Sequence, residues 1–500
     1  MAKRPSIFTL INTDLTVFST RSEKSALISV EVESELDAVP AKVGRARNIS
    51  DNLLLAMSIF DRQRLTNDTF KLDLDRMARG WYSDKYFENI MTMLTTLAEQ
   101  HYHYDTQITG ATHSLDVGNL QIEMQFFTRR SGKTIICGVD KALAMLRGAT
   151  GYVDENGKFI NTYAQLQVEA IHDGCVTHYN GDPKQVQPVI RVRGRYRDFA
   201  LLETPMLGVL TRASRVATNV YETLMAAKGK PVLFFPARFD AHEVQAADGY
   251  AYAISVQRYN YDFNTHVTEF VSTDAQGDWW GGYGGGTVAH AAIACFLGDT
   301  AAAMMAFAAT RPASIPRIAL VDFNNDCVGD TLKTLQAMFA RYCELQQAGN
   351  EDDAKKYVLY GVRLDTGGNL RDASVTPLGD PALDLGVNPR LVFNVRQALD
   401  NAANLIEFPT GCETLLRDYA RRVKIVVSGG FAPDKIKKFE RLGVPADIYA
   451  VGSYLLSNDD KTNTDFTADI VRTKINGTWH NSAKIGRAPA DNAELEAVAL

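Results

Sequence analysis

The sequence predicts an α/β protein whose larger part is a barrel of parallel strand-and-helix units, on a chain that also carries a smaller α+β domain. Three observations predict it. Beyond about residue 230, apolar strand-like runs alternate with amphipathic stretches: PVLFFPARF before AHEVQAADGYAYAI, PRIALVDF before DTLKTLQAMFARYCELQQ, KYVLYGVRLDT before RLVFNVRQALDNAANL, and then VKIVVSGGF and DIYAVGSYLL. That strand, turn, helix rhythm is the pattern of parallel β/α units. The residues able to do chemistry stand at the C-terminal ends of the runs: Arg238, Asp322, Arg363 with Asp365, Ser428, and Gly452 with Ser453. In a barrel that end carries the active site and the opposite end only stability. Finally, a doubly wound open sheet would also bind ligands at strand ends, but no G-x-G-x-x-G fingerprint follows the first strand, so the barrel is preferred.

Taken in order, the chain opens with a polar arm rich in Ser, Arg and Asp, broken by short apolar pieces such as Leu53 to Phe60. It reads as an extension of unknown role over residues 1–75. An α+β domain over 76–200 follows: SDKYFENIMTMLTTLAEQ as a helix capped by Ser83 or Asp84, and NLQIEMQFF and GKTIICGV as strands. A long amphipathic helix from Leu201 to Ala227 leads into the barrel, read over 201–460. The tail over 461–500, with DFTADIV and SAKIGRAP, returns to the α+β domain as a split segment.

The last two strands are the most informative. Val423 to Val427 is apolar apart from Lys424 and runs into Ser428, Gly429 and Gly430; Ile448 to Val451 runs into Gly452 and Ser453. Each strand ends with a glycine beside a hydroxyl and free backbone N–H groups, which is anion-binding chemistry. Loops after the last two barrel strands often hold a phosphate. A single such turn would read as a tight turn and no more; two turns one β/α unit apart favour the phosphate.

Composition bounds the partners. With 500 residues the chain can bury a large core and divide into two or three domains. Hydrophobic residues make up 46%, charged residues 22%, and the net charge is −6, so neither a nucleic-acid nor a membrane surface is favoured and an anionic substrate must be captured locally. No apolar run approaches the length of a membrane span, and the start MAKRPSIFTLINTD lacks a signal-peptide core, so the cytoplasm is the default compartment. The six cysteines, at 137, 175, 295, 327, 343 and 412, form no C-x-x-C pair. That argues against a zinc site and against a disulfide framework, and all six are expected reduced.

Each candidate has a plainer reading. Asp322 and Asp365 suit ribose hydroxyls or Mg2+ on a diphosphate, or they cap the helices that follow. For Asp322 the two readings are nearly level; for Asp365 capping is weaker, because Arg363 two residues earlier shares its face. Arg238 suits a carboxylate or phosphate, or is a surface arginine. Tyr86 and Phe235 suit an aromatic ring, although aromatics are far more often core. The run WWGGYGGGTVAHAAIACFLGD holds five glycines between Gly281 and Gly286, too many for a strand, and places His290 at the start of an apolar helix. There it is either a hydrogen-bonded core histidine or a group that is phosphorylated or moves a proton. Lys435, Lys437 and Lys438 read as a solvated helix face, and His242 as a surface residue or one that backs the site, rather than a catalyst.

Taken in sequence, GWYSDKYFENI, MQFF with CGVDKAL, RVRGRYRDFALLETPMLGVLTRAS, PARF, GTVAHAAIACFLGD, PRIALVD, YGVRLDT, VVSGGF, GVPADIYAVGSYLL and DFTADIV resemble the nicotinate phosphoribosyltransferase family, archaeal-type branch, from about Met77 to the C-terminus. The resemblance implies a type II phosphoribosyltransferase: an incomplete (β/α) barrel with an α+β open-sandwich domain, working as a homodimer with shared active sites. It implies joining nicotinate to phosphoribosyl pyrophosphate, giving nicotinate mononucleotide and pyrophosphate for NAD synthesis, with ATP as co-substrate through a phosphorylated His290. It also implies that Tyr86 of one subunit and Phe235 of the other sandwich the ring and that Arg238 takes the nicotinate carboxylate. Asp322 and Asp365 would hold the ribose and Mg2+, Arg363 the substrate assembly, and Gly429, Gly430, Gly452 and Ser453 the 5′-phosphate.

Two positions depart from the family pattern. Phe239 stands where a second arginine is usual, and Ala291 where a serine often follows the histidine. The first weakens the choice of nicotinate and leaves nicotinamide or another pyridine base open; the second leaves ATP coupling open. A non-catalytic nucleotide-binding homologue is the reading from a different class. A phosphate-binding barrel isomerase or lyase would want a catalytic Lys or Glu at a strand end, and none stands there.

Overall fold

The computed structural model describes residues 63–499 apart from residue 109. Most of the expected N-terminal arm, residues 1–62, lies outside the described residues. The described chain divides into two compact units: a barrel unit of Thr223–His242 and Val267–Tyr454, and an α+β unit of residues 63–222, Glu243–His266 and residues 455–499.

In the barrel unit five parallel strands, β1 (Val232–Phe234), β2 (Arg317–Leu320), β3 (Leu359–Leu364), β4 (Lys424–Val427) and β5 (Ile448–Val451), lie in the order β1-β5-β4-β3-β2. From β2 to β5 each strand lies beside its predecessor, and β5 lies beside β1, which is the cyclic order of a barrel wall. The full burial of β1, β2 and β5 explains their near-continuous apolar runs. The wall thins between β1 and β2. There it is carried by two single-residue parallel bridges, Phe234 to Val271 and Val271 to Gly284, and by the Thr287 hydroxyl donating to the Ile318 carbonyl at 3.0 Å. The barrel is therefore incomplete. Gly284 is a glycine of necessity, since a Cβ there would stand 2.7 Å from the Thr273 carbonyl carbon. Leu233, Ile318, Val426, Ile448 and Ala450 pack into one interior cluster. Two residues on from Leu233, Val426 and Ala450, the strand period brings Phe235, Ser428 and Gly452 to the same side at the C-terminal mouth.

The helices Cys327–Gln347, Pro389–Asp400 and Pro433–Arg441 follow β2, β3 and β4 in the chain. The helix after β1, Gln245–Phe263, departs from this rhythm by belonging to the α+β unit. Polar anchors place it there: Arg212 grips Asp248 with two bonds of 2.9 Å, and the Ser255 hydroxyl donates to the Ala217 carbonyl. Cys343 and Cys412, 69 residues apart, are joined as a disulfide, so the expectation of six reduced cysteines is corrected for this pair.

The α+β unit is built on an antiparallel six-stranded sheet in the order Thr478–Asn481, Phe466–Ile475, Gln121–Thr128, Ile190–Arg195, Gln167–Ala170, Glu496–Ala497. Ile122, Met124 and Phe126 alternate onto its core face and pack in one cluster with Leu143 and Leu146 of the helix Val139–Ala149. Glu123, between them in sequence, is buried and takes ion pairs from Arg193 and Arg472 at 2.6 and 2.7 Å. The helix Lys85–Glu99 starts at Asp84, whose carboxylate accepts from the Tyr86 and Thr204 hydroxyls rather than capping the helix. No helix among the described residues is long and apolar enough to cross a membrane.

Candidate active site

The backbone ladder continues one residue past several strands of the barrel unit. Val321 N–H donates to the Arg363 carbonyl, Ser428 N–H to Leu364 and Phe235 N–H to Val451, at 3.2, 2.9 and 2.9 Å. Short strands joined this way carry their next residues, Asp322, Asp365, Ser428, Phe235 and Gly452, on a rigid rim.

Two carboxylates form the centre. The Asp322 side chain is 8% exposed, and both its oxygens face His290 Nε2, at 3.0 and 3.1 Å. Burial pushes the Asp322 carboxyl above the usual range; His290 pulls it down again, and the nearby Asp365 charge pushes it up. His290 opens the short helix His290–Cys295 with its side chain 45% exposed. Asp365 is braced by Ser428, whose buried hydroxyl is shared between Asp365 Oδ1 at 2.8 Å and the Leu364 carbonyl at 3.0 Å. Both the hydroxyl and the N–H of Ser428 are thus engaged within the protein. In this geometry the Ser428 hydroxyl supports Asp365.

Arg363 sits among these groups. Burial disfavours its charge, Asp365 and Asp322 restore it, and Arg238 opposes it. Its guanidinium lies 6.0 Å from the centroid of the Phe235 ring, which in turn packs against Phe270 at 5.6 Å. Arg238 is exposed, 5.3 Å from the Phe239 ring, in the single 3-10 turn Ala237–Phe239.

The turn after β4 offers backbone groups. Gly429 and Gly430 are exposed, both left-handed at φ +86° and +66°, and their N–H groups have no acceptor among the described residues. The helix Pro433–Arg441 begins just beyond, without a side-chain cap at Ala432. Open amides and an uncapped helix start favour an anion. Gly452 is different: a Cβ on it would stand 2.6 Å from a ring carbon of Phe239, so that ring lies directly on the second glycine turn. Ser453 is exposed at the start of the turn Ser453–Leu456.

Lys435 departs from the solvated helix face expected for it. Lys437 is exposed and 3.7 Å from Asp434, as a solvated face requires, but Lys435 is half-buried and donates to the Gly429 carbonyl at 3.1 Å. Burial, and then Lys438, bring its ammonium down to about 8. The available signal was its position in the first turn after Pro433. The structure thus brings together His290, Asp322, Arg363, Asp365, Ser428 and Gly429. Tyr86, 57% exposed, belongs to the α+β unit, and His242 is exposed.

Residues 107–214 match the family model of the quinolinate phosphoribosyl transferase N-terminal domain. No curated protein matches the chain. Among solved structures the chain is similar to nicotinate-nucleotide pyrophosphorylase from Pyrococcus furiosus, at 22% identity over 85% of this chain and 85% of that one, with a TM-score of 0.55. It is also similar to human nicotinic acid phosphoribosyltransferase, at 14% identity over 80% of this chain and 76% of that one, with a TM-score of 0.46. The Pyrococcus likeness carries the fold, an incomplete barrel with an α+β domain.

Proposed function

We propose that this chain is a type II phosphoribosyltransferase, and that the mouth of its barrel unit joins nicotinate to phosphoribosyl pyrophosphate, giving nicotinate mononucleotide and pyrophosphate in NAD biosynthesis. The observation that carries this reading is the meeting, on adjacent strand ends, of Asp322, Asp365 and Arg363 with the open amides of Gly429 and Gly430. One side suits a diphosphate and its cation, and the other a 5′-phosphate.

The chemistry asks little of an acid or base. The pyridine nitrogen attacks C1′ with its own lone pair as the C1′–O bond to pyrophosphate breaks, and both electrons of that bond leave with pyrophosphate. What is needed is alignment, and stabilisation of an oxocarbenium-like carbon and of the leaving charge. Asp365, braced by Ser428, is poised to steady the ribose. Arg363 offers charge to the leaving group, Arg238 to the base carboxylate, and Phe235 a ring face. The resemblance adds Tyr86 of a second subunit as the other face, in a homodimer. The carboxylates fit Mg2+, which takes one or two such oxygens and completes its shell with phosphate and water; Asp365 Oδ2 accepts no hydrogen bond among the described residues. Asp322 and Asp365 would hold the ion, and it would neutralise charge on the diphosphate.

ATP coupling is proposed through His290. Asp322 on Nε2 favours the tautomer with its proton there, leaving the Nδ1 lone pair to accept a phosphoryl group as the bond to ADP breaks. A second reading, nicotinamide or another uncharged pyridine as the base, is favoured by Phe239, which puts an apolar ring beside Arg238. Purified protein given phosphoribosyl pyrophosphate with nicotinate or nicotinamide, with products separated by chromatography, decides between them. Nicotinate mononucleotide is expected. Product from nicotinamide alone overturns the choice of base, and tight mononucleotide binding with no turnover on any base points to a non-catalytic homologue.

A further inference from the structure

The turn after β4 is set by a residue outside it. Gly429 and Gly430 share a trans, planar peptide, so the Gly429 carbonyl and the Gly430 N–H point in opposite directions. Lys435 Nζ donates to that carbonyl at 3.1 Å and lies 4.1 Å from the centroid of the Phe431 ring. Phe431 is 3% exposed and held by Phe439 and Tyr449, at 5.0 and 5.6 Å between ring centroids. The ammonium is therefore anchored on a fixed ring, and it holds the carbonyl on its own side of the turn. The Gly430 N–H is left facing the opposite way, exposed and without an acceptor among the described residues.

We propose that Lys435 is a positioning residue for phosphate: by holding the Gly429 carbonyl it aims the Gly430 N–H at the 5′-phosphate of the ligand. This rests on the phosphate reading of the turn. The need for such a latch follows from the two glycines. A peptide between two residues free to take either sign of φ can turn over at little cost. Turned over, it would present a carbonyl oxygen where the phosphate oxygen must sit, converting an attraction into a repulsion. The ammonium prevents this and sets a positive charge behind the turn.

The test is calorimetric binding of ribose 5-phosphate to the full chain at pH 7, compared with Lys435→Met, Lys435→Gln and Lys435→Arg. Loss of a charge-assisted latch should weaken binding about tenfold in K435M and K435Q. K435R, which still donates to a carbonyl, should restore most of it. In turnover, the loss in K435M should fall on KM for phosphoribosyl pyrophosphate and spare KM for the base. Binding by K435M and K435Q equal to that of the unaltered chain overturns the role of Lys435 and leaves the phosphate reading standing. K435R as weak as K435M also overturns it. Absence of ribose 5-phosphate binding by the unaltered chain overturns both.

Discussion

Ser428 Oγ stands 2.8 Å from Asp365 Oδ1 and 3.0 Å from the Leu364 carbonyl, so the hydroxyl at the end of β4 steadies the carboxylate at the end of β3. A hydrogen bond to a charged acceptor contributes about 1.5–3 kcal/mol. Ser428→Ala should therefore lower kcat/KM about tenfold, while Asp365→Asn, which removes the charge itself, should lower it about a hundredfold or more. Steady-state kinetics on both variants checks the order. S428A as damaging as D365N, or D365N near normal, contradicts the role given to Asp365.

His290 and Asp322 make a second coupled pair. His290→Ala should leave basal phosphoribosyl transfer and abolish its stimulation by ATP, whereas Asp322→Asn should impair both, because Asp322 also faces the proposed cation site. Rates measured with and without ATP separate the two. Undiminished ATP stimulation in H290A removes His290 from the mechanism.

Phe239 is 48% exposed, with its ring on Gly452 and under Arg238. Phe239→Arg places a second positive charge beside the base and uncovers the glycine turn. KM for nicotinate should fall several-fold while KM for nicotinamide stays level or rises. A fall for nicotinamide alone would mean that the base carboxylate does not sit at Arg238.

Glu203, at the start of the helix Glu203–Ala227, carries a pH signature of folding. Burial, with Asp469 and Asp84 adding to it, holds its carboxyl protonated up to about 8. The unfolded chain releases that proton near about 4.3. Between those values the folded state binds more protons, so this group costs progressively more stability as pH rises from 5 to 8, and the loss levels off above 8. Glu203→Gln stays neutral and should unfold a few degrees above the unaltered chain at pH 8, with the gap closing at pH 5. Thermal unfolding at the two pH values gives the answer, and a gap independent of pH refutes it.

What was legible in the sequence was what burial and periodicity write into it. β2 and β5 are fully buried, and β4 is buried beyond its exposed first residue Lys424, so their apolar runs mark them, and the first polar residue after each run is the one at the mouth. Contacts between distant segments leave no such mark. His290 meets Asp322 across 32 residues, and Cys343 meets Cys412 across 69. Lys435 and Lys437 are alike in sequence, and only the closeness of Phe431 and Gly429 separates a half-buried lysine from a solvated one. Ser428 reads as a phosphate ligand because Ser-Gly-Gly after a strand is anion chemistry; its hydroxyl is taken by Asp365, a partner from another strand. The helix Gln245–Phe263 has the pattern of a barrel helix, but its placement rests on Asp248 and Ser255, which the pattern treats as ordinary polar positions.

The most direct measurement is a crystal structure of the protein with phosphoribosyl pyrophosphate and Mg2+ bound. The 5′-phosphate is expected on the amides of Gly429 and Gly430, the ribose over Asp365, and the diphosphate toward Asp322 and Arg363. A ligand seated away from the C-terminal ends of β2, β3 and β4, or lying with its diphosphate on the glycine turn, would contradict it.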